Sequence, residues 1–161
     1  GYQATYDQIW ERMIKTVREL GEYAEKMNVK LVVETLTPYE SNAFCSANDA
    51  VELFRRVDSP YVVGMCDLVP PFVQYESMME YVHKLQNKMY HFHIIDGEQG
   101  TDNHIMPGEG KIPLRELLLE LKDAGYEGTA TIELVTGYIN EPRLYARRAI
   151  DNVRSYMQTG G

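Results

Sequence analysis

Four residues of this 161-residue chain combine metal-ligand or proton-transfer chemistry with one repeated position, the end of a short apolar run. Glu34 closes Val-Lys-Leu-Val-Val-Glu, Asp67 closes Tyr-Val-Val-Gly-Met-Cys-Asp, His93 lies in Met-Tyr-His-Phe-His, and Glu133 closes Thr-Ala-Thr-Ile-Glu. Three carboxylates and one imidazole make a mainly hard donor set, suited to Mn²⁺ and able to accept Co²⁺, Fe²⁺, Ni²⁺ or Zn²⁺. Such a cation acts as a Lewis acid on a carbonyl, and a carboxylate beside it can take a proton from the neighbouring carbon. The four residues therefore read as ligands of one divalent metal, with two of the carboxylates able to serve as proton-transfer groups as well.

Runs of Val and Ile separated by helix-length segments read as parallel strands in βα units, which bind ligands beyond the carboxyl ends of the strands. Thr5-x-x-Gln8 is a capping box opening a helix with Ile9, Met13, Val17, Leu20, Ala24 and Met27 as its apolar stripe. Strands follow at 30–34, 61–67, 89–95 and 129–134. Ser46-Ala-Asn-Asp49 caps the second helix, Pro70-Pro71 breaks the chain before a third, and Pro113 and Gly125 bracket a Leu-rich fourth. Pro142 opens the last, with Leu144, Ile150, Val153 and Met157 expected inside. Side chains alternate along a strand, so Val32 with Glu34, Met65 with Asp67, His91 with His93, and Thr131 with Glu133 share one face.

A (β/α)8 TIM barrel needs about 250 residues and eight strands. A leading helix plus four βα units thus predicts an α/β fold, a single domain over 1–161 forming the C-terminal half of such a barrel. A sheet cut this way leaves two unpaired edges, which predicts a homo-oligomer or a missing first half.

The formal charge of −8 and pI near 5.0 leave no basic surface for a phosphate backbone, so nucleic acid is not an expected partner. No run has transmembrane length, and a membrane partner is not expected; the reading is cytoplasmic, with Cys45 and Cys66 reduced and Cys66 packed inertly. Gly108-Glu-Gly110 is a faint phosphate-cradle signal. His91 reads as a hydrogen-bonded core histidine or a support of the site, His83 as solvent-facing, and Gly160-Gly161 as a frayed tail.

Together with the loop His104-Ile-Met-Pro-Gly-Glu-Gly-Lys-Ile-Pro113, the four site residues closely resemble the xylose-isomerase-like family of sugar isomerases and epimerases. Leu36-Thr-Pro-Tyr-Glu-Ser-Asn42 and the segment from Glu133-Leu-Val-Thr-Gly-Tyr to Arg147 look most like its ketosamine 3-epimerases. The resemblance implies one divalent metal on Glu34, Asp67, His93 and Glu133. It also implies that Glu34 and Glu133 exchange protons with the carbon beside the carbonyl, through an enediolate. By the same resemblance Glu40, His104 and Arg143 are substrate-binding. Many free-ketose epimerases of the family have a His where this chain has Pro70 and an Arg where it has His104, so the implied substrate is a small sugar with an amino substituent. No residue identifies itself as reading that substituent. The alternatives are an aldose–ketose isomerase on the same metal site, a half-barrel without turnover, and an apurinic-site endonuclease, which the charge of −8 disfavours.

Overall fold

Thr5 accepts from the Gln8 backbone while the Gln8 side chain accepts from Thr5 N, so the capping box starts α1 (Tyr6–Met27) as its residue types require. The computed structural model describes residues 3–158; the glycine tail expected after Thr159 lies outside them. After α1 come β1 (Leu31–Glu34), α2 (Ala47–Val57), β2 (Val62–Asp67), α3 (Val69–Val73) and α4 (Met79–Leu85). The chain continues through β3 (Met89–Ile94), α5 (Leu114–Asp123), β4 (Thr129–Ile132) and α6 (Pro142–Met157). Among the described residues, no helix is long and apolar enough to cross a membrane.

The strands form one parallel sheet in the order β1-β2-β3-β4, with helices packed on one face. That face carries the core: Phe92, Ile94, Leu53, Phe54, Tyr81 and Leu117 are all buried. Gly64 lets α2 approach β2, since a Cβ there would lie 2.8 Å from Phe54 Cε2. On the opposite face Thr131 is exposed and His91, His93 and Glu133 are half-buried, while Met65 and Asp67 of β2 are buried. This is the α/β half-barrel that the strand pattern predicts.

Three local expectations need correction. Pro70 and Pro71 do not break the chain; they occupy the first turn of α3, where a missing N–H removes no helical hydrogen bond. The buried line of α1 is Trp10, Ile14 and Gly21, one residue round from the expected stripe, and leaves Leu20 and Met27 about half exposed. In α6 the buried residues are Ala149 and Val153, while Leu144 and Met157 are each 51% exposed. Leu20 and Met27 line a groove with Leu31 beside the outer edge of β1, which has no further strand among the described residues. His83 is exposed and Cys66 fully buried, as expected.

Candidate metal centre

Parallel register brings the four strand ends together. Asp67 pairs with His93, Glu34 lies opposite Met65 one inward position below Asp67, and Glu133 follows Thr131, which pairs with His93. The staggered ends project onto one spot. Strand β4 stops at Ile132 rather than Leu134, but Glu133 N still donates to Ile94 O at 3.3 Å, so the ladder fixes the Glu133 backbone.

One ligand atom from each of Glu34, Asp67, His93 and Glu133 lies within 4.8 Å of the others. His93 Nδ1 is 3.0 Å from Glu34 Oε1, 3.3 Å from Glu133 Oε2 and 3.7 Å from Asp67 Oδ2. Two of these atoms, Asp67 Oδ2 and His93 Nδ1, are buried and lack a hydrogen-bond partner among the described residues. Buried groups left without partners are destabilising, and a cation between them satisfies both. The donor set and these two orphaned atoms fit a divalent metal.

The electrostatics follow from the crowding. Burial works against the Asp67 charge, yet His104 and His93 outweigh it and hold the carboxyl well below the usual carboxylate range. Asp67 and Glu34 raise His93 to about 10. Asp67 likewise raises His104 to about 9, against the effect of burial. Burial, reinforced by the nearby Asp67 carboxylate, pushes Glu133 up to about 7.

A cavity of about 280 Å³ opens over the cluster, lined by Glu34, Asp67 and Glu133 and also by Glu40 and His104. Glu40 Oε2 additionally accepts from Thr37 N and Oγ1 at 3.4 and 3.2 Å, which fixes the turn after β1. His104 Nε2 reaches to 3.4 Å from Asp67 Oδ2. Arg143 does not line this cavity; it borders a shallow groove on α6 with Arg147 and Arg154. Pro70, the position where many free-ketose epimerases of the family have a His, lines the cavity, and so does Asp102, which the sequence reading does not single out. Nothing in the spacing marked Asp102 beyond its place two residues before His104.

The loop bearing His104 is built around Asp96, which is 2% exposed. Its Oδ1 accepts from Gly97 N and Ile112 N, and its Oδ2 from Gly108 N and Gly110 N, all within 3.0 Å. The Gly108-Glu-Gly110 amides thus cradle an internal carboxylate, which corrects the phosphate reading. A Cβ at Gly110 would fall 2.3 Å from Asp96 Oδ1. Tyr138 Oη accepts from Met106 N, and Asn152 Nδ2 donates to Pro107 O, each at 2.7 Å, clamping the loop to the β4–α6 side. His91 is not sealed in the core: on the open face, it pairs through Nδ1 with Thr129 Oγ1 at 2.7 Å and sets its ring edge-on to His93 at 5.5 Å.

A profile of the xylose isomerase-like TIM barrel matches residues 1–156. The chain belongs to this family. It is 48% identical over 157 residues to fructoselysine 3-epimerase of Shigella flexneri, a match covering 98% of this chain and 57% of that protein. It is 30% identical over 122 residues to D-psicose 3-epimerase of Enterocloster bolteae, covering 76% of this chain and 39% of the other. Among solved structures it superposes on D-psicose 3-epimerase from Clostridium cellulolyticum H10, crystallised with D-tagatose. That match has a TM-score of 0.78 and 24% identity, covering 98% of this chain and 59% of that one, a likeness of fold. The chain therefore spans little more than half the length of the fructoselysine 3-epimerase and of the solved structure that it matches.

Proposed function

We propose that this chain carries the metal-binding and acid/base part of a sugar epimerase that inverts the carbon beside the carbonyl of a ketose or ketosamine. One observation carries the proposal: Glu34, Asp67, His93 and Glu133 converge within 4.8 Å at successive strand ends. The 48% identity to a fructoselysine 3-epimerase supports the ketosamine class and the 3-position. These four residues would hold one divalent cation, manganese first and cobalt, iron, nickel or zinc as alternatives. When bound, it polarises the carbonyl and orients its oxygen and the neighbouring hydroxyl.

The chain's own groups do the proton work. Inversion needs a base on one face of a planar enediolate and an acid on the other, and Glu34 and Glu133 approach from opposite edges of the sheet. Glu133, on the wall of the cavity, offers a carboxylate that can accept or return the proton. His104, on the cavity wall with Nε2 3.4 Å from Asp67 Oδ2, can donate to a substrate oxygen as negative charge develops. Glu40 on the cavity wall serves as a second substrate contact. Arg143 takes that role only if substrate extends towards α6.

Two open strand edges beside exposed apolar side chains support completion of the barrel by further strands, from a longer chain or from another copy in a homo-oligomer. Two free cysteines suit a reducing compartment, the cytoplasm. The test is product identity. Full-length protein with manganese and a ketosamine should yield the epimeric ketosamine, stop on chelation and recover on metal addition. An aldose product would favour the isomerase alternative, and no product under any metal would remove both.

A further inference from the structure

The cavity over the metal site is lined by five carboxylates, Glu34, Glu40, Asp67, Asp102 and Glu133, with His104 as the one basic side chain among the described lining residues. One divalent cation offsets two of those charges. A neutral ketose does nothing to offset the remainder, whereas a ligand with its own positive charge reduces it.

The partners of each carboxylate narrow the choice. Glu34, Asp67 and Glu133 all face His93, and Asp67 also faces His104. Glu40 accepts from Thr37. The Asp102 carboxylate has no ion-pair or hydrogen-bond partner among the described residues, and its Oδ1 is buried in that state. Its backbone is held in place, because the Asp102 carbonyl lies 3.2 Å from His104 Nδ1 within the loop organised by Asp96. Pro70, on the same wall, brings neither a charge nor a backbone N–H donor to it.

We infer that Asp102 is the specificity residue for the substrate's nitrogen. It accepts from the protonated secondary amine that a ketosamine carries on the carbon next to its carbonyl. This rests on the epimerase reading above and deepens it: the site selects ammonium-bearing ketosamines over neutral ketoses. Charge-assisted hydrogen bonds from an ammonium to a preorganised carboxylate are the stronger kind, and a loop already fixed loses little freedom on binding.

The experiment compares a ketosamine with its N-acyl analogue, which keeps the length but has a neutral nitrogen. Dissociation constants come from calorimetry, and kcat/KM from turnover of the full-length protein. The parent should prefer the ketosamine by at least about tenfold, the preference should weaken with salt, and Asp102→Asn should remove most of it. Equal affinity for the two ligands in the parent overturns the inference even if the variant fails to fold. A preference fully retained in Asp102→Asn overturns it as well. If the analogue turns over as well as the ketosamine, Asp102 loses this role while the epimerase reading stands. If neither turns over, the epimerase reading falls with it.

Discussion

Raising the pH from 6 to 8 should tighten metal binding steeply, because the metal and protons compete for the same atoms. His93 near 10 and Glu133 near 7 are both largely protonated at pH 6. A ligand must be deprotonated to bind, so uptake at pH 6 should release about two protons, and at pH 8 about one, almost all from His93. Each unit of pH below a ligand's pKa lowers its available fraction about tenfold, so the two groups together predict about a thousandfold gain over this interval. Glu133 is partly exposed, and screening there reduces its share, leaving a gain of at least about a hundredfold. Calorimetric titration of the metal-free protein with Mn²⁺, in buffers of different ionisation enthalpy, measures affinity and proton release together. An affinity flat between pH 6 and 8, or fewer than about half a proton released at both, would refute the reasoning from His93.

Replacing Glu34 or Glu133 by Gln keeps the shape and removes the base; epimerisation should fall about 10²- to 10⁴-fold. Metal affinity is measured alongside, and turnover within a few-fold of the parent would take both residues out of the acid/base role. Asp96→Asn turns an NH₂ towards Gly108 N and Gly110 N, so it should destabilise the protein by about 1–3 kcal/mol in denaturant titration and speed amide exchange at those glycines. Unchanged exchange there would mean that the carboxylate does not hold the loop. Residues 1–161 expressed alone should self-associate or be poorly soluble, since Leu20, Met27, Ile139 and Leu144 lie exposed beside open strand edges. A monodisperse monomer of 18.5 kDa in sedimentation would contradict this.

The four metal-site residues were legible because strand alternation is a two-residue rule: once Val32, Met65, His91 and Thr131 were given one face, the polar residues two positions on had to share it. Capping boxes at Thr5 and Ser46 were equally local and equally readable. The burial of α1 and α6 was not, because apolar periodicity reports every face a helix buries in a completed barrel, and here some of those faces have no neighbour. Nor was the role of Gly108 and Gly110. Their pattern says that backbone amides converge, and only the fold reveals that the anion they meet is Asp96, twelve residues before Gly108. Asp102 escaped for a related reason, since a loop carboxylate acquires meaning only from the partners it lacks.

The most direct test of the central claim is the fate of one carbon-bound hydrogen. In deuterated water, manganese-loaded full-length protein acting on a ketosamine should place deuterium at the carbon beside the carbonyl, in step with inversion there and with the ketone retained. Epimer formed without label, or label accompanied by an aldose, would contradict an epimerase that moves its proton through Glu34 and Glu133.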